Sequence, residues 1–262
     1  MSSLAEVRAD LEAECDGLDR LVAGLDPTGW DAPTPAEGWT VKDQISHLAS
    51  VDEWAALAAG DPEGFLTWMG TLAATDPDTI VNSPVEQARG RPGADVLAWW
   101  RQARAGLAGA LERVDPSARA PWFGPPMAIP TLLTARLMET WAHGEDVAEA
   151  LGVERLPTAR LRHVAHLGVR TRSYAYASRG LPVPPGAVRV ELTGPGGETW
   201  TWGDEAAADR VRGPAVDFCR VVTRRRQVSD TGLVAEGDAA TGWLSIAQAF
   251  AGPAGRDPAP RN

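Results

Sequence analysis

The spacing of apolar residues changes once along this chain, and that change limits the folds open to it. Through the first two thirds they recur at three and four positions, as in SLAEVRADLEAECDGLDRLVAGL and VKDQISHLASVDEWAALAAG, the period of helices that bury one face. ADVLAWWRQARAGLAGALERV reads as a third long helix, and IPTLLTARLMETWAHGEDVAEALG as a fourth ended by Gly152. From Val188 onward VRVELTG and ETWTWG alternate as strands around a GPGG turn. ADRVRG follows as a third strand, GPAVDFCRVVTRRR as a helix beginning after Gly213, LVAEGD as a short strand and AATGWLSIAQAFAG as a final helix.

This order predicts an α+β protein, a four-helix bundle followed by a small α/β domain. The expected limits are 1–153 for the bundle, 154–186 for a connecting helix and linker, 187–252 for the second domain and 253–262 for a disordered tail. ARLRHVAHLGVRTRSYAYASRG supplies the connecting helix, and LPVPPG ends it. Residues 61–92, rich in Pro and Gly, read as a long connection that carries the chain along the bundle. Thr40 and Asp43 stand in capping-box positions before the second long helix, which puts His47 in its second turn.

Composition narrows the partners. A net charge of −10 with a pI near 4.9 argues against nucleic acid, whose phosphates favour basic surfaces. No apolar run approaches the roughly 18 residues of a membrane span, and Arg224, Arg225 and Arg226 make too short a basic stretch for a membrane surface. A charged, helical N-terminal stretch leads to the expectation of a soluble, unexported, cytoplasmic protein. Cys15 and Cys219 lie far apart in helical patterns, which reads as two buried thiols and leaves no disulfide framework. Lysine is nearly absent while Ala, Arg, Gly and Pro abound, the bias of GC-rich actinobacterial genomes.

Glu139 and His143 lie four residues apart, so a helix sets them one turn apart on one face, where both can reach one divalent ion. With His47 they offer two neutral nitrogens and one anionic oxygen, a set that suits zinc and leaves a position open for chemistry. The same spacing also describes a solvated helix pair with nothing bound, so it leaves both readings standing.

WTVKDQISHL, followed about ninety residues later by ARLMETWAHGEDVAEALG, resembles the DinB-like family in its mycothiol-dependent maleylpyruvate isomerase branch. The resemblance implies a metal site, usually zinc, built from His47, Glu139 and His143, none of them substituted here. It implies that the second domain is similar to a sterol carrier protein. It also implies a small-molecule substrate and a low-molecular-weight thiol, mycothiol, whose sulfur adds to a conjugated double bond and leaves after rotation about the resulting single bond.

Substrate charge is then expected to meet arginine. Arg136, one turn before Glu139, can face the same cavity or the helix surface; Arg224 or Arg225 matches a second-domain arginine of the family or caps a solvated helix end. Asp43 can orient His47 or cap its helix, and Asp146 can support His143 or face solvent. Trp122 and Trp141 read as packing, and His163 with His166 lacks an evident third ligand.

Three functions follow. The leading one is a metal-dependent isomerase or thiol transferase acting on a small electrophilic or unsaturated acid. The second is a thiol-independent metal enzyme, a hydrolase or cyclase of a secondary metabolite. The third is a non-catalytic binding protein with a structural metal.

Overall fold

The computed structural model describes residues 3–260. The chain is mixed helix and sheet and divides into two compact units, Met1–Arg155, which is helical, and Leu156–Asn262, which is α/β.

The first unit contains α1 (Leu4–Val22), α2 (Pro27–Trp30), α3 (Val41–Gly60), α4 (Pro62–Thr71), α5 (Pro77–Ala88), α6 (Gly93–Leu111) and α7 (Ile129–Ala150). A two-residue hairpin, β1 (Arg119–Ala120) with β2 (Met127–Ala128), leads into α7. The four long periodic runs of the sequence are α1, α3, α6 and α7. The expected long connection is itself two helices, α4 and α5: Pro62 and Pro77 each stand in a first turn, where a missing amide hydrogen leaves no bond unmade. Phe65, Val85 and Ala88 are buried by those helices, which pack on α3.

Helix α3 is the axis of this unit. It packs against α4, α5, α6 and α7 and is buried on nearly every face, its small Ala and Ser residues letting its neighbours approach closely. Its start is set by the capping box: Thr40 Oγ1 accepts from the Asp43 amide at 3.3 Å, and Asp43 Oδ2 accepts from the Thr40 amide at 2.9 Å. The Asp43 carboxylate is further held by Arg89 at 3.0 Å. Such a start brings His47 inside the bundle, only 8% exposed, where a surface helix would have shown it to water.

Helix α7 packs on α1 and α3. Gly144 leaves room there for a guanidinium, since a Cβ at that position would lie 2.8 Å from Arg155 Nη1 and displace it. Arg155 crosses α7 through this gap, donates to the Trp141 carbonyl at 3.1 Å and pairs with Glu145 and with Glu14 of α1. The last turns of α7, next to His143, are thereby tied to α1.

The second unit contains α8 (Leu161–Arg170), α9 (Arg172–Ala177), β3 (Val188–Thr193), β4 (Thr199–Trp202), β5 (Asp209–Pro214), α10 (Ala215–Val222), β6 (Val234–Glu236) and α11 (Asp238–Ile246). The single connecting helix of the sequence reading is interrupted at Thr171 and forms α8 and α9. Strand order is β4-β3-β5-β6, with β3 antiparallel to β4 and parallel to β5. Val188, Val190, Leu192, Trp200 and Val211 are buried, while Arg189, Glu191, Arg210 and Arg212 alternate with them and form ion pairs with one another. Helices α8 and α10 pack tightly because a Cβ on Gly168 would lie 2.8 Å from Val222. Residues 253–260 carry no helix or strand.

Candidate metal centre

The capping of α3 and the packing of α7 on it bring His47, Glu139 and His143 together, with one donor atom from each within 4.8 Å of the others. Both imidazoles turn Nε2 toward the same carboxylate oxygen: Glu139 Oε2 lies 3.6 Å from His47 Nε2 and 3.2 Å from His143 Nε2. The two rings are tilted by 50° with centroids 4.6 Å apart. Burial works to raise the Glu139 carboxyl, but the imidazoles of His143 and His47 outweigh it and hold the group well below the usual carboxylate range. Glu139 is therefore an anion at neutral pH.

Two aromatic nitrogens and a carboxylate oxygen converging on one point have the donor chemistry of a zinc-type site, and three donors leave a coordination position for an exogenous atom. Glu139 and His143 are partly exposed, so the point is reached from solvent. Trp39 forms a wall of the site, its ring stacked 6.1 Å from His143 and tilted 5.4 Å from His47. It is placed by a short closed loop in which Pro33 bridges Thr40 and the Thr34 amide donates to the Trp39 carbonyl at 2.8 Å. Gln44, buried on α3, contacts His143 Nδ1 through its side-chain oxygen.

The other residues singled out by sequence fall as follows. Arg136 is 1% exposed, and its guanidinium Nε donates to Asp52 at 2.9 Å, inside the bundle between α3 and α7. Asp43 caps α3. Asp146 is buried, with Oδ2 4.0 Å from His143 Nδ1. Trp141 is buried, and Trp122 stacks on Phe65 within a cluster of aromatic rings. In the second unit, Arg224 donates to the Ser245 carbonyl at 3.1 Å and pairs with Asp257, and Arg225 donates to the Thr223 carbonyl at 2.8 Å. His166 accepts from Trp202 Nε1 at 3.1 Å. Among the described residues, His163 and His166 join no second cluster of three potential ligands.

Both thiols are buried. Burial, reinforced by the nearby Asp52 carboxylate, pushes Cys15 up to about 12, so it holds its proton and is inert. Cys219 donates to the Leu161 carbonyl at 3.5 Å.

A helical bundle with an imidazole and carboxylate cluster inside it fits a class, the DinB-like bundles, and comparison with known proteins places the chain in one branch of it. Residues 11–148 match the mycothiol maleylpyruvate isomerase N-terminal domain, and the chain belongs to that family. It is similar to two proteins of Mycobacterium tuberculosis, each named as uncharacterized: Rv0036c of strain ATCC 25618 / H37Rv and MT0041 of strain CDC 1551 / Oshkosh. Each is 50% identical over 248 residues, which cover 95% of this chain and 96% of the relative. Its fold resembles that of the mycothiol-dependent maleylpyruvate isomerase, with a TM-score of 0.59 and 17% identity over 89% of this chain and 93% of the other. A histidine-to-alanine variant of that isomerase gives the same likeness. No helix among the described residues is long and apolar enough to cross a membrane.

Proposed function

We propose that the protein binds one divalent cation, zinc by preference, through His47, Glu139 and His143, and that with mycothiol it acts as an isomerase or thiol transferase on a small electrophilic or unsaturated acid. The observation that carries this reading is the meeting of His47 Nε2, His143 Nε2 and Glu139 Oε2 from two helices of the bundle, in a family defined by the mycothiol isomerase domain. When bound, such a cation ionises a thiol at neutral pH, where a free thiol of pKa near 8.5 is only a few per cent thiolate.

The chain's own residues do the rest. His47 and His143 contribute neutral donors, and Glu139 contributes one negative charge, so a dication keeps net positive charge with which to attract an anionic sulfur. Trp39 walls the donors on one side and lowers water access there. Arg136, fixed to Asp52, positions α7 against α3 below the donors and leaves substrate charge to other groups.

Elemental analysis of the purified protein, followed by calorimetric titration with mycothiol before and after chelation, tests the reading. One equivalent of zinc and thiol binding that vanishes on chelation are expected. Absence of thiol binding in both forms overturns the thiol chemistry, and absence of any bound or bindable cation overturns the metal site.

A further inference from the structure

The proton positions along one buried chain of contacts follow link by link from what each group can donate or accept. The Trp39 backbone carbonyl only accepts, so the Thr34 hydroxyl, 2.9 Å away, donates to it. Thr34 Oγ1 then accepts from Gln44 Nε2 at 2.8 Å. That orients the Gln44 amide, whose Oε1 faces His143 Nδ1. A carbonyl oxygen only accepts, so Nδ1 carries a proton; in the neutral ring that a cation requires, the lone pair is then on Nε2, the nitrogen that faces Glu139. Turning the Gln44 amide end for end would set its oxygen against the Thr34 oxygen, whose one hydrogen is already used. Asp146 Oδ2 stands farther from Nδ1, at 4.0 Å.

His47 offers a contrast within the same cluster. Its Nδ1 is buried and meets no hydrogen-bond partner among the described residues, so the ring is oriented by packing, by the Trp39 and His143 rings and by Glu139 at Nε2. Gln44 itself is 0% exposed, so its amide has no water to turn to, and its two contacts fully define its orientation.

We propose that Gln44 is a positioning residue of the metal centre: braced by Thr34 and the Trp39 backbone, it holds His143 as the Nδ1–H tautomer with Nε2 presented to the cation, and so sets cation affinity. This rests on the reading of His47, Glu139 and His143 as ligands. A partner on the far nitrogen of a ligating imidazole fixes the ring and raises its basicity, and losing one typically lowers metal affinity about 10–100-fold.

The test is zinc affinity by chelator competition in the full chain, with 15N NMR of the imidazoles in the zinc-loaded protein. Q44L is expected to bind zinc about 10–100-fold more weakly and to lose the slowly exchanging Nδ1–H signal of His143. Q44E restores an acceptor at Nδ1 but sets its second oxygen against Thr34 Oγ1, so it is expected to regain the Nδ1–H signal and only part of the affinity. T34V, which removes only the outer brace, should weaken binding in the same direction by less. Parental affinity with a retained Nδ1–H signal in folded Q44L overturns the role of Gln44 while leaving the ligands in place. Should Q44L not fold, the same result in T34V overturns it. A parent protein that takes up no zinc overturns the metal reading, and this inference with it.

Discussion

Helices α3 and α7 enclose two polar clusters, and the two settle their charge in opposite ways. Asp52 and Arg136 form a closed set: Asp52 Oδ1 accepts from Arg136 Nε at 2.9 Å, Asp52 Oδ2 accepts from Trp100 Nε1 at 3.1 Å, and both charged residues are almost wholly buried. His47, Glu139 and His143 form an open set, in which an anionic oxygen faces two nitrogens that carry lone pairs once neutral. The Asp52 carboxylate is satisfied from within and serves the fold, although Arg136 Nη2 is buried without a hydrogen-bond partner among the described residues. On the proposed reading the open set is completed by a cation, and its donors sit where solvent can bring one.

The contrast is broken most forcefully from the closed side. D52A strands a guanidinium in the bundle, and removing one partner of a buried pair is expected to cost about 3–5 kcal/mol. Urea denaturation of the metal-free chain reads this loss. A change below about 1 kcal/mol would mean that water reaches the pair and that the two clusters do not differ as described.

The open side should respond to metal and hardly to denaturant. In E139Q the anionic donor is gone, and zinc affinity is expected to fall by more than the roughly 100-fold upper range for losing an outer partner. Metal-free stability should shift by no more than about 1 kcal/mol, the net worth of an ordinary hydrogen bond. Zinc at a hundred times its Kd should stabilise the parent by about 2.7 kcal/mol and leave E139Q unmoved. Equal stabilisation of both would place the cation elsewhere.

Between these lies the cap that feeds both clusters. T40A removes the side-chain acceptor at the start of α3, a loss of about 1 kcal/mol, and loosens the turn that leads to Gln44 and His47. Denaturation checks the energy, and chelator competition checks whether the looseness reaches the ligands. A zinc affinity unchanged by a measurable loss of stability would show that packing against α6 and α7 alone sets the position of His47.

What sequence could say about this contrast depended on the range of each contact. The capping box, the E-x-x-x-H turn and the GPGG hairpin are local, and they are legible as Thr40 with Asp43, Glu139 with His143, and β3 with β4. Arg136 shows the limit, because a position one turn before Glu139 fits either a cavity or a surface, and its partner Asp52 is supplied by a different helix. Gln44 went unremarked for the same reason, since its meaning depends on α7 lying against α3. Pro62 and Pro77 read as breaks but open helices, since the same ring that ends one helix fits the first turn of the next. The helix after Gly213 stops at Val222, with Arg224 in the left-handed region at φ +62°, a turn that no glycine announces. The parallel pairing of β3 with β5 has no local signature at all.

A third imidazole environment gives the smallest expected effect and the clearest sign. Among the described residues, His166 in the second unit joins no ligand cluster and no ion pair; it accepts the Trp202 indole hydrogen at Nδ1, which requires that nitrogen to be unprotonated. Burial, with Arg170, His163 and Arg162 nearby, lowers its pKa below the ordinary value of 6.5. The unfolded chain therefore takes up this proton at a higher pH than the folded one. The contribution of His166 to stability is fully present above about pH 6.5 and is lost as pH falls from there through the lowered folded value. Denaturation of the metal-free parent and of H166Q, which keeps an acceptor but cannot titrate, should diverge only within that acidic window, with the parent losing more. Parallel curves down to pH 5 would mean that His166 takes up its proton alike in the folded and unfolded chains, and that the Trp202 contact does not hold Nδ1 unprotonated.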